Sequence, residues 1–263
     1  MNQIIEGDNA AILPRLPDAS FRMIYIDPPF NTGSTQTRDA TGFAYSDSHA
    51  DYAEFLRPRL EHAHRLLDEQ GTLYFHIDYR EAHRCKLLLD EIFGERSFLN
   101  EIIWAYDYGG RPKRRWPAKH DTILVYVRDR DRYYFDAEEV EREPYMAPGL
   151  VGPEKAARGK LPTDVWWHTI VHTNGAEKTG YPTQKPEGIV RRMVSASTAA
   201  GDRCLDFFAG SGTLGSVAAK LGREFILIDS NPDAIAVMER RLGLRATRSD
   251  GGEDYSPARL EPD

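Results

Sequence analysis

The C-terminal third of the chain contains the pattern that most narrows the possible folds: strand, glycine-containing turn, helix, strand. Residues 203–206 and 224–229 predict short buried strands, and residues 212–221 predict the helix that joins them. Gly210 and Gly212 lie in the turn before that helix. A helical crossover is the kind of connection that parallel strands require, so the pattern predicts an α/β sheet.

The same segment has the composition of a nucleoside-binding site. Glycines at the end of a strand let the backbone approach a bulky ligand, and the following helix presents unpaired N–H groups. Asp229 ends the second strand, at the separation from Asp206 at which doubly wound folds hold a ribose diol. The spacing is not G-x-G-x-x-G and no Gly-Lys-Ser/Thr follows, which disfavours dinucleotide and P-loop sites. An ordinary strand-to-helix turn is the alternative for the glycine pair alone.

Helices and strands also alternate in the rest of the chain, which predicts a doubly wound, mostly parallel sheet with helices on both faces. The other predicted strands are 23–26, 72–77 and 121–127, and the other predicted helices are 51–68, 80–93, 187–199 and 232–242. Residues 131–180 interrupt the alternation with aromatic residues, proline and glycine, so they are predicted to form an inserted module or a set of loops. The polar, charged chain from residue 245 onward is typical of a surface tail.

Asp27-Pro28-Pro29-Phe30 follows predicted strand 23–26, so it should open into the crevice at the carboxyl end of the sheet. A carboxylate there can accept a hydrogen bond from an aromatic amino group, which localises the nitrogen lone pair and makes the amine more nucleophilic toward a methyl sulfonium. The two prolines fix the backbone and remove two N–H donors, and Phe30 offers a flat face to a base. A base within a duplex must be flipped out to reach such a site. A stiff turn with a capping Asp is the alternative for this motif alone.

Positive charge is concentrated in one segment. The formal net charge of the chain is −7, yet residues 111–119 contain five positive charges and no negative one. A local basic patch matters more for phosphate contact than the overall sum, so this segment is a candidate for nucleic-acid binding, with a solvated basic loop as the alternative. The sequence has no apolar run of transmembrane length, no N-terminal signal segment and no metal-ligand cluster. We therefore expect a cytoplasmic protein with no membrane partner.

Four segments in order resemble the permuted (beta-class) DNA amino-methyltransferases, which use S-adenosyl-L-methionine (AdoMet). They are residues 6–9, residues 27–30 extended by 31–33, residues 179–186 with the sequence T-G-Y-P-T-Q-K-P, and residues 206–213. The resemblance implies a seven-stranded, Rossmann-like methyltransferase sheet. It also divides the chain into a catalytic half (1–130), a target-recognition insertion (131–177), an AdoMet-binding half (178–243) and a polar tail (244–263).

The resemblance implies roles for individual residues as well. Asp27, Pro28, Pro29 and Phe30 would form the catalytic loop, and Asp229 would bind the cofactor ribose. The other residues implied in AdoMet binding are Asp8, Thr183, Lys185, Asp206, Phe207, Ala209, Gly210, Gly212 and Thr213. Residues 109–115 resemble a basic loop that clamps DNA phosphates. The residues expected to contact DNA are Arg111, Lys113, Arg114, Arg115, Lys119, Trp166 and His168, of which the last two lie in the target-recognition insertion.

In this family Asp at the first catalytic position favours adenine, so the resemblance implies site-specific N6 methylation of adenine in double-stranded DNA. Cytosine N4 methylation is the first alternative, and methylation of an RNA base, a protein amide or a small heteroaromatic is a second. A catalytically silent DNA-binding protein with the same fold is an alternative of another class, disfavoured by the intact Asp27 and glycines. The resemblance is also compatible with a homodimer and with a cognate restriction enzyme as partners.

Overall fold

The structure is a computed structural model that describes residues 2–30, 34–37, 44–47 and 51–249. The predicted extension of the catalytic loop, 31–33, and the tail beyond residue 249 lie outside the described residues. The strands are β1 (Gln3–Glu6), β2 (Phe21–Ile26), β3 (Ser34–Thr37), β4 (Ala44–Asp47), β5 (Leu67–Asp78), β6 (Phe98–Ala105), β7 (His120–Val127), β8 (Val165–Trp167), β9 (Arg203–Asp206), β10 (Glu224–Asp229) and β11 (Thr247–Arg248). The helices are α1 (Asn9–Ile12), α2 (Tyr52–Leu66), α3 (Ala82–Phe93), α4 (Pro153–Arg158), α5 (Glu187–Ser197), α6 (Thr213–Lys220) and α7 (Pro232–Leu242).

Nine of these strands form one sheet in the order β11-β1-β10-β9-β2-β5-β7-β6-β8. Every neighbouring pair is parallel except the two that involve β7, which is antiparallel to both β5 and β6. The predicted mostly parallel sheet is therefore confirmed. Seven strands form its body, and the very short strands β11 and β8 extend its two edges, while β3 and β4 pair separately as an antiparallel hairpin.

At the centre of the sheet, β2 from the N-terminal part of the chain pairs with β9 from the C-terminal part. Met23 and Ile24 of β2 lie in register with Cys204 and Leu205 of β9. From this boundary the chain winds in opposite directions, through α6 to β10 on one side and through α2 to β5 on the other. Opposite winding leaves a crevice at the carboxyl ends of the two central strands, which is where open α/β sheets bind ligands.

Helices cover both faces of the sheet, as predicted. Phe75 of β5 packs with residues of α2 and α3, whereas the preceding residue, Tyr74, packs with residues of α5 and α6. Successive side chains of a strand point to opposite faces, so a strand buried on both faces must be apolar along its whole length, as β5 is from Leu73 to Ile77 except at His76. Among the described residues, no helix is long and apolar enough to span a membrane.

The sequence pattern does not predict β1, β6, β8 or β11. β6 contains the polar pair Asn100 and Glu101 and joins the sheet through β7, while β8 and β11 have only three and two residues. β8 lies within the segment interpreted as an insertion, and it pairs with β6. β11 lies at the start of the predicted tail and pairs with β1. Such short strands are specified by their partners more than by their own composition.

Glu187, the first residue of α5, holds three helices of one face together. Its carboxylate accepts hydrogen bonds from Ser216 Oγ (2.8 Å) and Lys220 Nζ (2.5 Å) of α6 and from Arg241 Nη2 (2.9 Å) of α7. The Glu187 side chain is only 8% exposed. Burial opposes its ionisation, but the hydrogen bonds outweigh burial and lower the pKa of Glu187 to about 2.

We predict that Glu187→Gln lowers the free energy of unfolding by about 2 to 3 kcal/mol at neutral pH, because a charged hydrogen-bond acceptor is lost. The folded-state pKa lies below the ordinary value of 4.5. The advantage of the wild type over the variant is therefore fully present above pH 4.5 and disappears as the pH falls toward 2. Urea denaturation across this pH range measures the difference. Glu54→Gln, at an exposed ion pair with Arg57, is the matched control and should change little; a pH-independent difference for Glu187→Gln would contradict the prediction.

Candidate active site

A cavity of about 550 Å³ opens at the carboxyl edge of the sheet, over the boundary between β2 and β9. Its wall comes from both ends of the chain. It contains all four residues of the predicted catalytic loop and, of the predicted cofactor residues, Asp8, Thr183, Lys185, Asp206, Phe207, Ala209, Gly210, Thr213 and Asp229. The two motifs that the sequence places far apart thus line a single site.

Asp27 lines this cavity, and its two carboxylate oxygens differ in their hydrogen bonding. Oδ2 accepts a hydrogen bond from Lys185 Nζ at 2.5 Å. Oδ1 is buried and has no hydrogen-bond partner among the residues that the structure describes. A buried carboxylate oxygen without a donor is costly, so this atom is a ready acceptor for an N–H group of a ligand.

The rest of the catalytic loop is fixed by its surroundings. The carbonyl of Pro29 accepts a hydrogen bond from the Tyr52 hydroxyl at 2.5 Å, which ties this part of the loop to the start of α2. The ring of Phe30 lies 4.9 Å from the Lys185 ammonium and 6.0 Å from the His76 ring. The loop therefore brings the Asp27 carboxylate and one aromatic ring to the cavity wall on a backbone that its prolines stiffen.

On the other side of the cavity, backbone N–H groups hold the acids at the ends of β9 and β10. Asp206 Oδ1 accepts from the N–H of Phe208 at 3.0 Å, and Asp229 accepts from the N–H groups of Gly210 (2.8 Å) and Asn231 (2.9 Å). Burial raises the pKa of Asp229, and burial together with the nearby charges of Asp27 and Asp229 raises the pKa of Asp206 well above its ordinary value. Three acids in one crevice favour a ligand that carries positive charge.

The two glycines of the cofactor turn have different roles. Both have left-handed backbone, with φ of 49° at Gly210 and 70° at Gly212. Gly210 lines the cavity, and a Cβ there would lie 3.2 Å from the Tyr181 ring. Gly212 does not line it: a Cβ there would lie 2.8 Å from Met238 Cγ, so this glycine permits α6 to pack closely against α7. The predicted cofactor contact of Gly212 is thus not seen in the cavity wall.

The segment with the sequence T-G-Y-P-T-Q-K-P brings Lys185 to Asp27. Gln184 Oε1 accepts from both the N–H and the hydroxyl of Thr179 at 2.8 Å, which closes the loop on itself. The carbonyl of Lys185 accepts from Thr213 Oγ1 at 3.1 Å, which ties the loop to the start of α6. The loop therefore bridges the cofactor turn and the catalytic loop.

Sequence reasoning missed a second group of residues at the cavity. Asn9 donates to the carbonyl of Phe207 at 2.7 Å and accepts from Arg59 Nε at 2.7 Å, and Arg59 also lies 3.5 Å from Asp8. The Arg59 guanidinium stacks on the Phe55 ring at 4.1 Å. Asn9 stands next to a predicted cofactor residue and could have been included for that reason. Arg59 and Phe55 are ordinary members of helix α2 in the sequence and carry no signal of their own.

The basic segment forms an exposed loop after β6. Lys113, Arg114 and Trp116 are exposed, and Trp116 is 95% exposed. Arg111 pairs with Asp107 at 3.2 Å, and Arg115 approaches the Tyr79 hydroxyl at 3.5 Å. Lys119 differs from the others because its ammonium donates to the carbonyls of Tyr108 (2.7 Å) and Gly109 (2.5 Å), which fixes the base of the loop.

The prediction that Trp166 contacts DNA needs correction. Its side chain is only 7% exposed, packs in the core of the sheet face covered by α5, and donates from Nε1 to the carbonyl of Thr163 at 2.7 Å. Because side chains alternate along β8, the exposed tryptophan is its neighbour Trp167, at 75%. His168 is half-buried, and its ring lies against Gly188, where a Cβ would stand 2.2 Å from Nε2.

A doubly wound sheet with an acid-lined nucleoside-type crevice beside an Asp-Pro-Pro-Phe loop is the architecture of an α/β methyltransferase. The family comparison gives the particular group. The model of the N6/N4 methylase family, described as DNA methylase, matches residues 21–240. The chain therefore belongs to the N6/N4 DNA methylase family.

Curated relatives agree with this assignment, and solved structures share the fold. DNA adenine methyltransferase YhdJ of Escherichia coli K12 is 32% identical over 249 residues, covering 92% of this chain and 82% of the relative. Type II methyltransferase M.HpaI of Haemophilus parainfluenzae is 31% identical over 243 residues, covering 92% and 74%. In structure, the cytosine-N4-specific PvuII DNA methyltransferase matches with a TM-score of 0.70 at 16% identity, covering 92% and 86%. The M1.HpyAVI–SAM complex matches with a TM-score of 0.65 at 22% identity, covering 93% and 100%.

The methyl donor of this family is AdoMet, and the cavity fits it. The volume lies in the range of small-molecule sites, and Asp27, Asp206 and Asp229 suit a ligand with sulfonium and ammonium charges. Gly210 adds no side chain at its own position in the cavity wall. The unpartnered Oδ1 of Asp27 remains for a second ligand that donates an N–H group.

We predict that Gly212→Ala destabilises the protein more than Gly222→Ala does. Both glycines have a φ close to 70°, so both alanines incur the cost of left-handed backbone, roughly 1 kcal/mol. Only at position 212 would the new Cβ also meet Met238 and Leu227, whereas at position 222 no atom lies within 4 Å. Chemical denaturation of both variants tests this directly. Equal losses would show that close packing between α6 and α7 does not require Gly212.

Proposed function

We propose that this DNA methylase transfers a methyl group from AdoMet to the N6 amino group of adenine, at specific sites in double-stranded DNA. The observation that carries the proposal is the buried, unpartnered Oδ1 of Asp27 beside the Phe30 ring. An exocyclic amino group offers the N–H donor that this oxygen lacks, and a planar base offers a face for the ring. The relative named a DNA adenine methyltransferase supports adenine as the base.

In this proposal Asp27 accepts a hydrogen bond from the target amino group and so localises its lone pair. Bound AdoMet supplies an electrophilic methyl group. Lys185 holds Oδ2 of Asp27, which leaves Oδ1 for the base, and Phe30 stacks on the flipped base. Pro28 and Pro29 keep the loop rigid, so the acceptor stays in place without reorganisation during methyl transfer.

The cofactor residues have complementary roles in the proposal. Asp229 binds the ribose hydroxyls with the oxygen capacity left by its two backbone donors. Asp8, which caps α1, lies near the adenine of the cofactor, and Asp206 and Lys185 lie near its methionine part. Phe207, Ala209, Gly210, Thr183 and Thr213 shape the wall of the cavity around it.

The loop of residues 111–119 is the proposed DNA clamp, with Lys113 and Arg114 on phosphates and the exposed Trp116 against the nucleic acid. The insertion of residues 131–177 reads the target sequence, with Trp167 in the place predicted for Trp166. The relative named a Type II methyltransferase extends the proposal to pairing with a restriction enzyme of the same specificity. We also propose that the protein forms a homodimer and that it is cytoplasmic. The elution volume in size-exclusion chromatography tests whether it is a dimer.

We predict that wild-type protein incubated with tritiated AdoMet and duplex DNA of varied sequence labels N6-methyladenine, identified after digestion to nucleosides. Asp27→Ala should lower kcat by at least about 100-fold, because the acceptor for the amino group is removed. AdoMet binding, measured by calorimetry, should persist but weaken, because Asp27 is one of the three acids that favour the cationic cofactor. Glu95→Ala, an exposed acid at the opposite edge of the sheet, is the control. Label in N4-methylcytosine would overturn adenine as the base, and equal labelling by Asp27→Ala would overturn the role of Asp27.

For the clamp, we predict that the double variant Lys113→Ala/Arg114→Ala binds duplex DNA more weakly and with a smaller salt dependence. Each phosphate contact contributes about 0.9 to the slope of log K against log [salt], so the slope should fall by about 2. Fluorescence anisotropy over a salt series measures it. The control Arg96→Ala/Arg130→Ala removes two exposed positive charges at the opposite edge and should keep the wild-type slope. An unchanged slope for the loop variant would place the phosphates elsewhere.

A further inference from the structure

Gln184, the residue before Lys185, has only 9% of its surface exposed, and its side chain makes three hydrogen bonds. Its Oε1 accepts from the backbone N–H and from the hydroxyl of Thr179, both at 2.8 Å. Its Nε2 donates to the backbone carbonyl of Glu177 at 2.6 Å. Gln184 is not among the described residues that line the active-site cavity, so the proposed roles of the catalytic and cofactor residues do not use it.

The orientation of the Gln184 amide is fixed by its partners. A backbone N–H can only donate and a backbone carbonyl can only accept, so the amide oxygen must face Thr179 and the amide nitrogen must face Glu177. The assignment depends on no titratable group. The side chain of Gln184 therefore closes the loop on Thr179 and at the same time ties it to Glu177.

Glu177 is itself anchored to helix α5. Its Oε2 accepts from the N–H of Glu187, the first residue of that helix, at 2.8 Å. The first N–H groups of a helix have no partner within the helix, so a carboxylate at this place is stabilising. Glu187 in turn is bound to α6 and α7 through its own carboxylate. Gln184 thus connects its loop to a fixed point of the helical layer.

The backbone of Lys185 is held on both sides. Gln184 fixes the residue before it, and its own carbonyl accepts from Thr213 Oγ1 of α6 at 3.1 Å. The side chain beyond is a flexible four-carbon stem, yet its ammonium is only 12% exposed and lies 2.5 Å from Asp27 Oδ2. Because the stem is flexible, the position of the backbone decides whether the ammonium can remain on that oxygen.

We propose that Gln184 is a positioning residue for methyl transfer, which fixes the backbone of Lys185 so that its ammonium stays on Oδ2 of Asp27. This rests on the proposed role of Asp27 in DNA methylation. Gln184 touches neither the cofactor nor the base in this scheme and acts only through Lys185. Its loss should therefore appear in kcat more than in the affinity for AdoMet or DNA.

Gln184→Met is the first test, because methionine has a similar length but makes none of the three hydrogen bonds. At saturating AdoMet and DNA we expect kcat to fall about 10- to 100-fold, since a small displacement of a group at the reacting centre is costly. The AdoMet Kd, measured by calorimetry, should stay close to the wild-type value. Gln70→Met, the same substitution at an exposed glutamine at the amino edge of the sheet, is the control and should keep the wild-type kcat. An unchanged kcat for Gln184→Met would overturn the proposal.

A double-mutant cycle separates positioning from a merely structural role. Lys185→Met removes the ammonium, so it should lower kcat at least as much as Gln184→Met does. If Gln184 acts only through Lys185, adding Gln184→Met to Lys185→Met should change kcat by less than about twofold. If the two losses multiply instead, Gln184 supports the active site by another route and the proposal is wrong.

The environment of Lys185 can be measured without any methylation assay. Acetic anhydride modifies accessible amines, and the rate at each lysine is followed by mass spectrometry of peptides. In Gln184→Met the rate at Lys185 should rise several-fold over the wild type. Lys86, whose ammonium lies 2.6 Å from Asp90 on the other face of the sheet, reports general unfolding and should keep its wild-type rate.

An unchanged acetylation rate at Lys185, or an equal rise at Lys86, would overturn the proposal whatever the enzyme methylates. A rise confined to Lys185, in a protein whose wild type has no activity on DNA, would count against the proposed function and not against the positioning of Lys185 by Gln184.

Discussion

The pairing of β2 with β9 is the contact on which the site depends. These strands come from opposite ends of the chain, and their parallel registration sets Ile24 beside Leu205. Because parallel neighbours end at the same edge, the residues that follow them, Asp27 and the turn after Asp206, are brought to one crevice. Without this pairing the chain would hold two separate motifs, one with a carboxylate and one with a nucleoside-type turn, and neither would be sufficient for methyl transfer.

The crevice is acidic, and that property determines much of its chemistry. Asp27, Asp206 and Asp229 share it, and burial, together with the nearby charges of Asp27 and Asp229, raises the pKa of Asp206. A cationic methyl donor relieves this repulsion, whereas a phosphate-bearing cofactor would increase it. Lys185 balances one oxygen of Asp27 and leaves the other unpaired. The site thus combines attraction for a positively charged cofactor with one acceptor that a neutral amino group can satisfy.

The short motifs could be predicted because each is local in the sequence and chemically distinctive. Asp27 to Phe30, Asp229 and Lys185 line one cavity, and their proposed roles stay predictions. The positions of Arg59 and Phe55 at this cavity could not be predicted, because each is a common residue within a helix. Their significance arises from neighbours on other elements. Trp166 and Trp167 show the same limit, since only the pairing of β8 with β6 decides which of two adjacent rings is buried.

The sequence by itself determined the α/β class and the doubly wound topology, and it predicted the Asp27–Phe30 loop and the turn after Asp206 as the candidate site, because these follow from periodicity, turn residues and local motif chemistry. The tertiary structure alone decided that β7 runs antiparallel, that Gly212 packs helices instead of lining the cavity, and that Pro29 has its carbonyl occupied by Tyr52. The physical reason is that strand direction and close approach depend on contacts between residues far apart in the chain, and such contacts leave no periodic trace in the sequence.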